Sequence, residues 1–133
     1  KQIAASTDTP RLDIAKIRNQ YSEFHQFMSS IGAHLDRLRQ VGPIYGFGAA
    51  QMLPVLAWHL GTNFEWLIAV LDDDRNKHGL NYANLPVSVA YPESDDIWQD
   101  ATVVVTAVDH ASALVGRMRN SRPKQIVLPL MTI

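Results

Sequence analysis

Two glycines, two aspartates and a histidine are the residues whose types and spacing in this chain carry chemistry. Gly46 and Gly48 stand in "YGFGAA" (45–50), between a short apolar run and a segment of helical character. In a dinucleotide-binding fold the first strand–helix turn reads G-x-G-x-x-G, and an acidic residue about 20 positions on holds a ribose hydroxyl. Gly46 and Gly48 fill the first two glycine positions, Gln51 stands in the third, and Asp72 closes the next apolar run. Gly46 then permits the tight turn, and Gly48 lets a diphosphate approach the backbone amides of the helix start. Gln51 weakens the dinucleotide reading, because a side chain there fills the space in which helix and strand pack closely. A plain structural turn is the competing reading. Under the ligand reading, Gly48→Arg should abolish binding and leave the fold intact.

Asp109 and His110 end a further apolar run, "ATVVVTAVDH". In a sheet of order 3-2-1-4-5, strands 1 and 4 flank the point where the strand order reverses, and ligands bind there. Gly46, Phe47, Gly48, Ala49, Asp72, Asp109 and His110 are therefore predicted to ring one substrate-binding crevice. Asp109 alternatively caps the helix that follows it.

These residues need a scaffold. Thr9-Pro10 reads as a helix start, with Thr as cap and Pro at the first helical position. Apolar residues then recur at Ile14, Ile17, Tyr21, Phe24, Met28, Ile31, Leu35 and Leu38, in alternating steps of three and four. The spacing predicts one long helix, ended by Gly42-Pro43. Its stripe suits packing on a sheet face, or a homodimeric coiled coil. Beyond it, "PIYGFG" reads as a buried strand and Ala50 to Leu60 as a helix apolar on nearly every side. "EWLIAVLDDD" is a second strand, and "NLPVSVAYP" a weaker one near an edge, because Pro86 cannot donate to a ladder. "ESDDIWQD" is a short helical turn, "ATVVVTAVDH" a long buried strand, "ASALVGRMRNS" a helix and "KQIVLPL" the last strand. Doubly apolar strands alternating with helices predict an α/β, Rossmann-like three-layer domain with a mostly parallel sheet. Residues 1–9 read as a linker or disordered tail. Residues 10–133 read as a single domain, with 10–41 the long helix and 43–133 the alternating part.

The bulk properties agree. The chain has 133 residues, 47% of them apolar and 19% charged, which is one soluble domain's worth. A formal charge of −1 gives no electrostatic ground for a nucleic-acid partner. The apolar runs fall well short of the roughly 20 residues of a membrane span. With no cysteine, disulfides, thiolate metal sites and cysteine nucleophiles are excluded. No signal peptide is legible, so a cytoplasmic location is expected, and the missing initial Met reads as a piece of a longer chain. The five histidines show no metal-ligand spacing, and no G-x-S-x-G is present. "DDDRNKHG" (72–79) lacks an EF-hand's alternation and reads as a solvated loop, with Asp72 nearest the crevice. Arg117, Arg119, Arg122 and Lys124 suit the dipole at the end of the last helix.

"YGFGAA", "VLDDDRNKHG" and "LPV", in that order, resemble the C-terminal domain of bacterial S-adenosylmethionine-dependent sugar C-methyltransferases. That family's Gly-aromatic-Gly-Ala turn matches Gly46-Phe47-Gly48-Ala49, and its Asp-bearing strand end matches Asp72. Its K-x-G loop matches Lys77-His78-Gly79, and its Pro-containing strand matches Leu85-Pro86. The preceding long helix and the closing "IVLPL" extend the likeness over nearly all of the chain after Thr9. The family's lysine and glycine just after the turn are replaced here by Met52 and Leu53. The resemblance implies an accessory, substrate-side domain that helps enclose a sugar nucleotide, with no catalytic residue of its own. S-adenosylmethionine would be bound by upstream methyltransferase domains of the same polypeptide. The alternative is an NAD(P)- or nucleotide-sugar-binding Rossmann domain of an oxidoreductase or of a sugar acyltransferase, whose N-terminal domain also carries "I-Y-G-x-G" followed by "DDD".

Overall fold

The computed structural model describes residues 11–130. Among the described residues, three helices and five strands follow one another as α1 (Ile14–Leu38), β1 (Ile44–Phe47), α2 (Leu53–Leu60), β2 (Val70–Leu71), β3 (Val89–Ala90), β4 (Thr102–Val105), α3 (Ala111–Met118) and β5 (Gln125–Val127). Short 3-10 turns at Arg75–Lys77, Asp95–Trp98 and Val108–His110 fill the connections. The strands form one parallel sheet of order β3-β2-β1-β4-β5. That is the Rossmann-like α/β architecture read from the sequence. Ile44 pairs with Thr102 and Phe47 with Val105, so the longest pairing sits at the centre. The weak strand does lie at the edge, but it begins at Val89, after Pro86, so the proline is not part of its ladder.

Alternation along the strands divides the core into two layers. Ile44, Val70, Val104 and Val127 face α1 and α2, where Met28, Leu35, Leu53, Leu56 and Phe64 bury with them. Phe47, Leu71, Val103 and Val105 face the opposite way and pack on Trp98 and Met118, with α3 covering them. Helices on both faces explain why the central strands are apolar on both sides.

The elements are shorter than the sequence indicates. Asp13 caps α1, its carboxylate accepting the Lys16 N–H at 3.1 Å, and the Thr9-Pro10 start lies outside the described residues. The helix spans Ile14–Leu38 rather than 10–41. Its stripe is divided in use. Met28 and Leu35 are fully buried, and Phe24, Ile31 and Leu38 are half-buried against the same core. Ile14, Ile17 and Tyr21 stay 49–62% exposed, so the first turns of α1 stand clear of the domain. Helix α2 begins at Leu53, which puts Pro54 in its first turn, where the missing N–H costs nothing. It is not apolar-buried all round: Val55 and Trp58 face outward. The second strand shrinks to Val70–Leu71, because Phe64 to Ala69 reach the sheet through turns anchored by the Thr62 and Asn63 side chains. No helix among the described residues is long and apolar enough to cross a membrane.

Candidate functional site

A cavity of about 490 Å³ opens where β1, β2 and β4 end, and its walls include Gly48, Ala49, Asp72, Lys77, Asp109 and His110. Five of the seven residues expected at a crevice therefore share one. Gly46 and Phe47 lie beneath it. Gly46 is a strand residue whose N–H donates to the Ala69 carbonyl at 3.0 Å. Phe47 is 1% exposed and meets the Trp98 ring edge-on, with centroids 4.8 Å apart.

The glycine turn is stitched shut by the protein itself. Gly48 has φ +98°, a backbone conformation that favours glycine. Its N–H donates to the Leu71 carbonyl at 2.8 Å, and its own carbonyl accepts the Thr106 hydroxyl at 2.7 Å. A Cβ placed on Gly48 would sit 2.4 Å from the Ala107 Cβ and 3.0 Å from Leu114 Cδ1. The close approach that Gly48 permits is thus made by the β4–α3 connection. Gly48→Arg accordingly loses its value as a probe that spares the fold.

Neighbouring peptide groups are engaged in the same way. The Ala49 N–H donates to Asp72 Oδ2 at 2.7 Å, and the Ala49 carbonyl accepts Lys77 Nζ at 3.3 Å. The Ala50 N–H donates to the Gly48 carbonyl at 3.0 Å, while the Ala50 carbonyl accepts the Tyr82 hydroxyl at 2.9 Å. Every backbone polar group from Gly48 to Ala50 is therefore hydrogen-bonded within the domain.

Asp72 is the hub. Besides Ala49 it accepts the Asp74 N–H at 2.9 Å on Oδ1, and Lys77 Nζ lies 3.0 Å from Oδ2. Burial by itself pushes the Asp72 carboxyl up, but the Asp74 amide, the Lys77 ammonium and the Ala49 amide outweigh it and hold the group below its ordinary value. Burial, with Asp72 nearby, pushes the Tyr82 phenol up to about 12. Lys77 owes its position to a 3-10 turn started by Asp74, whose side chain accepts the Asn76 N–H. This lysine was visible in the sequence only as part of the K-x-G motif. Thr106 and Ala107, which close the turn, looked like the tail of an apolar run.

On the opposite wall Asp109 and His110 belong to the 3-10 turn Val108–His110 that leads into α3. His110 stands at the cap position of α3 with no side-chain capping bond, and Asp109 does not cap the helix. Arg117 does more than answer a helix dipole: it is held by Asp95 at 2.9 Å and by Asp73 at 3.1 Å. No group of three or more His, Cys, Asp or Glu among the described residues is arranged to hold a metal ion.

At the turn itself the Cβ direction of Gly48 is filled by Ala107, and the Ala49 amide is taken by Asp72. No protein-family model matches the chain, and no curated protein is significantly similar to it.

Proposed function

We propose that this chain is the accessory, substrate-side domain of a sugar-nucleotide C-methyltransferase, with the S-adenosylmethionine-binding and catalytic parts in upstream domains of the same polypeptide. One observation supports this reading above the others. The motifs that resemble that family (the glycine turn, the Asp-bearing strand end and the K-x-G lysine) are scattered in sequence, yet they line a single cavity with Asp109 and His110. The cavity lies at the carboxyl ends of the strands, where the strand order reverses, which is where open α/β sheets bind ligands.

In this reading the domain contributes binding rather than chemistry. Asp109 and His110, both exposed on the cavity wall, offer carboxylate oxygens and imidazole nitrogens to ligand hydroxyls. The sealed turn forms the floor, and its closure disfavours the alternative of an NAD(P)-binding oxidoreductase domain. A cytoplasmic location accompanies the proposal.

The test is a thermal-shift panel with NAD, S-adenosylmethionine and sugar nucleotides that differ in base. A ligand at 100 times its Kd stabilises by about 2.7 kcal/mol, a rise of a few degrees in Tm for a domain of this size. A shift is expected with one class of sugar nucleotide and is expected to shrink in His110→Ala. Indifference to every sugar nucleotide, or a coding sequence with no methyltransferase domain before Lys1, would overturn the reading.

A further inference from the structure

We infer that Asp72 is the built-in anion of the glycine turn. It occupies the place that a ligand phosphate would take, and so limits the crevice to ligands that bring no phosphate to that turn. The inference rests on the geometry of the turn and not on the identity of the substrate.

A carboxylate and a phosphate ask for the same surroundings: amide N–H groups and a cation, converging on oxygens. Asp72 has that set. The Ala49 amide lies 2.7 Å from one oxygen and the Asp74 amide 2.9 Å from the other, while Lys77 Nζ reaches the first at 3.0 Å. The Asp72 side chain is 13% exposed, so the receptor is filled and largely closed over. Asp72 and Lys77 cancel each other's charge, and Asp109 adds a second carboxylate to the cavity wall. An incoming phosphate would find no free donor at Ala49 and would face a carboxylate within hydrogen-bonding distance of the same lysine.

The residue that usually takes a ribose hydroxyl is here folded back onto the turn beside it. Deleting its side chain leaves two amides and an ammonium around a space that opens into the cavity Asp72 lines. Asp72→Ala should therefore gain what the wild-type chain lacks, a receptor for an inorganic oxyanion.

The experiment titrates wild-type, Asp72→Ala and Asp72→Asn chains with pyrophosphate, using sodium chloride at matched ionic strength as reference. Thermal unfolding and amide ¹H–¹⁵N shifts are the two readouts. For the wild type, pyrophosphate should add nothing beyond matched salt, and the Ala49 amide should not move. Asp72→Ala should show saturable stabilisation, with shifts at Ala49 and Asp74 and an affinity at least about tenfold above wild type, the range of one lost or gained charged hydrogen bond. Lys77→Ala added to Asp72→Ala should remove the gain. Asp72→Asn keeps an acceptor for Ala49 and guards against a failure of the alanine variant to fold; it should bind pyrophosphate weakly but above wild type. Movement of the wild-type Ala49 amide on titration would overturn the inference, and so would folded variants no more responsive than wild type. Binding of pyrophosphate by Asp72→Ala without any sugar-nucleotide binding by the wild type would remove only the functional proposal.

Discussion

Gly48 has two reasons to be glycine, and they can be separated from those of its neighbour. A Cβ there would clash with Ala107 at 2.4 Å and would have to hold φ +98°. Gly48→Ala should therefore cost about 2–4 kcal/mol, strain and overpacking together. At Gly46 the nearest atoms to a new Cβ are the Thr106 and Val70 methyl groups at 3.1 and 3.2 Å, and φ is unremarkable. Gly46→Ala should cost less, about 1 kcal/mol, because side-chain methyls can give where backbone cannot. Urea midpoints of the two variants check the order. Asp72 makes a second prediction at this scale. Its carboxyl is held below the ordinary 3.8, so the folded state favours the ionised form. The stability it contributes is present above pH about 4 and is lost as pH falls through the lowered folded value. Acid unfolding of Asp72→Asn should accordingly be less steep below pH about 4 than that of the wild type.

Among the elements, α1 is the one whose sequence and surroundings disagree. Its apolar stripe runs unbroken from Ile14 to Leu38, yet only the part from Phe24 onward is covered. Periodicity reports that a face is apolar and is silent on what covers it, which is why packing and self-pairing were both legible from the same spacing. Replacing Ile14 and Ile17 by serine should leave the thermal midpoint within a few degrees of the parent chain, since the two side chains stay 62% and 49% exposed. If α1 pairs with α1 of a second copy, sedimentation equilibrium of the intact chain should show a dimer that Ile17→Asp abolishes. A concentration-independent monomer would rule that pairing out. Element ends were the least legible feature. Strands of two residues such as β2 and β3 are set by register with a neighbour, which no local pattern records. The long apolar run at 101–108 marked β4, but its last residues, Thr106 and Ala107, leave the strand to close the glycine turn.

For the molecule as a whole, strand order and layering were readable because they follow from a few strong signals. Those signals are doubly apolar strands and the helical segments between them. The meeting of the strand ends was readable too, since topology alone brings the ends of β1, β2 and β4 together. What topology does not say is whether such a crevice is open. That depended on one carboxylate turning inward, on a lysine five residues after it, and on a threonine 58 residues from the glycine it binds. The same order has a consequence for how the chain is made. β1, in the middle of the sheet, can pair with β2 as soon as both have left the ribosome, but its other edge waits for Thr102–Val105. Until β4 arrives, Ile44–Phe47 present an open row of peptide groups beside apolar side chains, an adhesive surface in a crowded cell. Synthesis that stalls before Ala101 should therefore leave a half-sheet prone to join its neighbours, and chaperone demand should peak just before the fourth strand emerges.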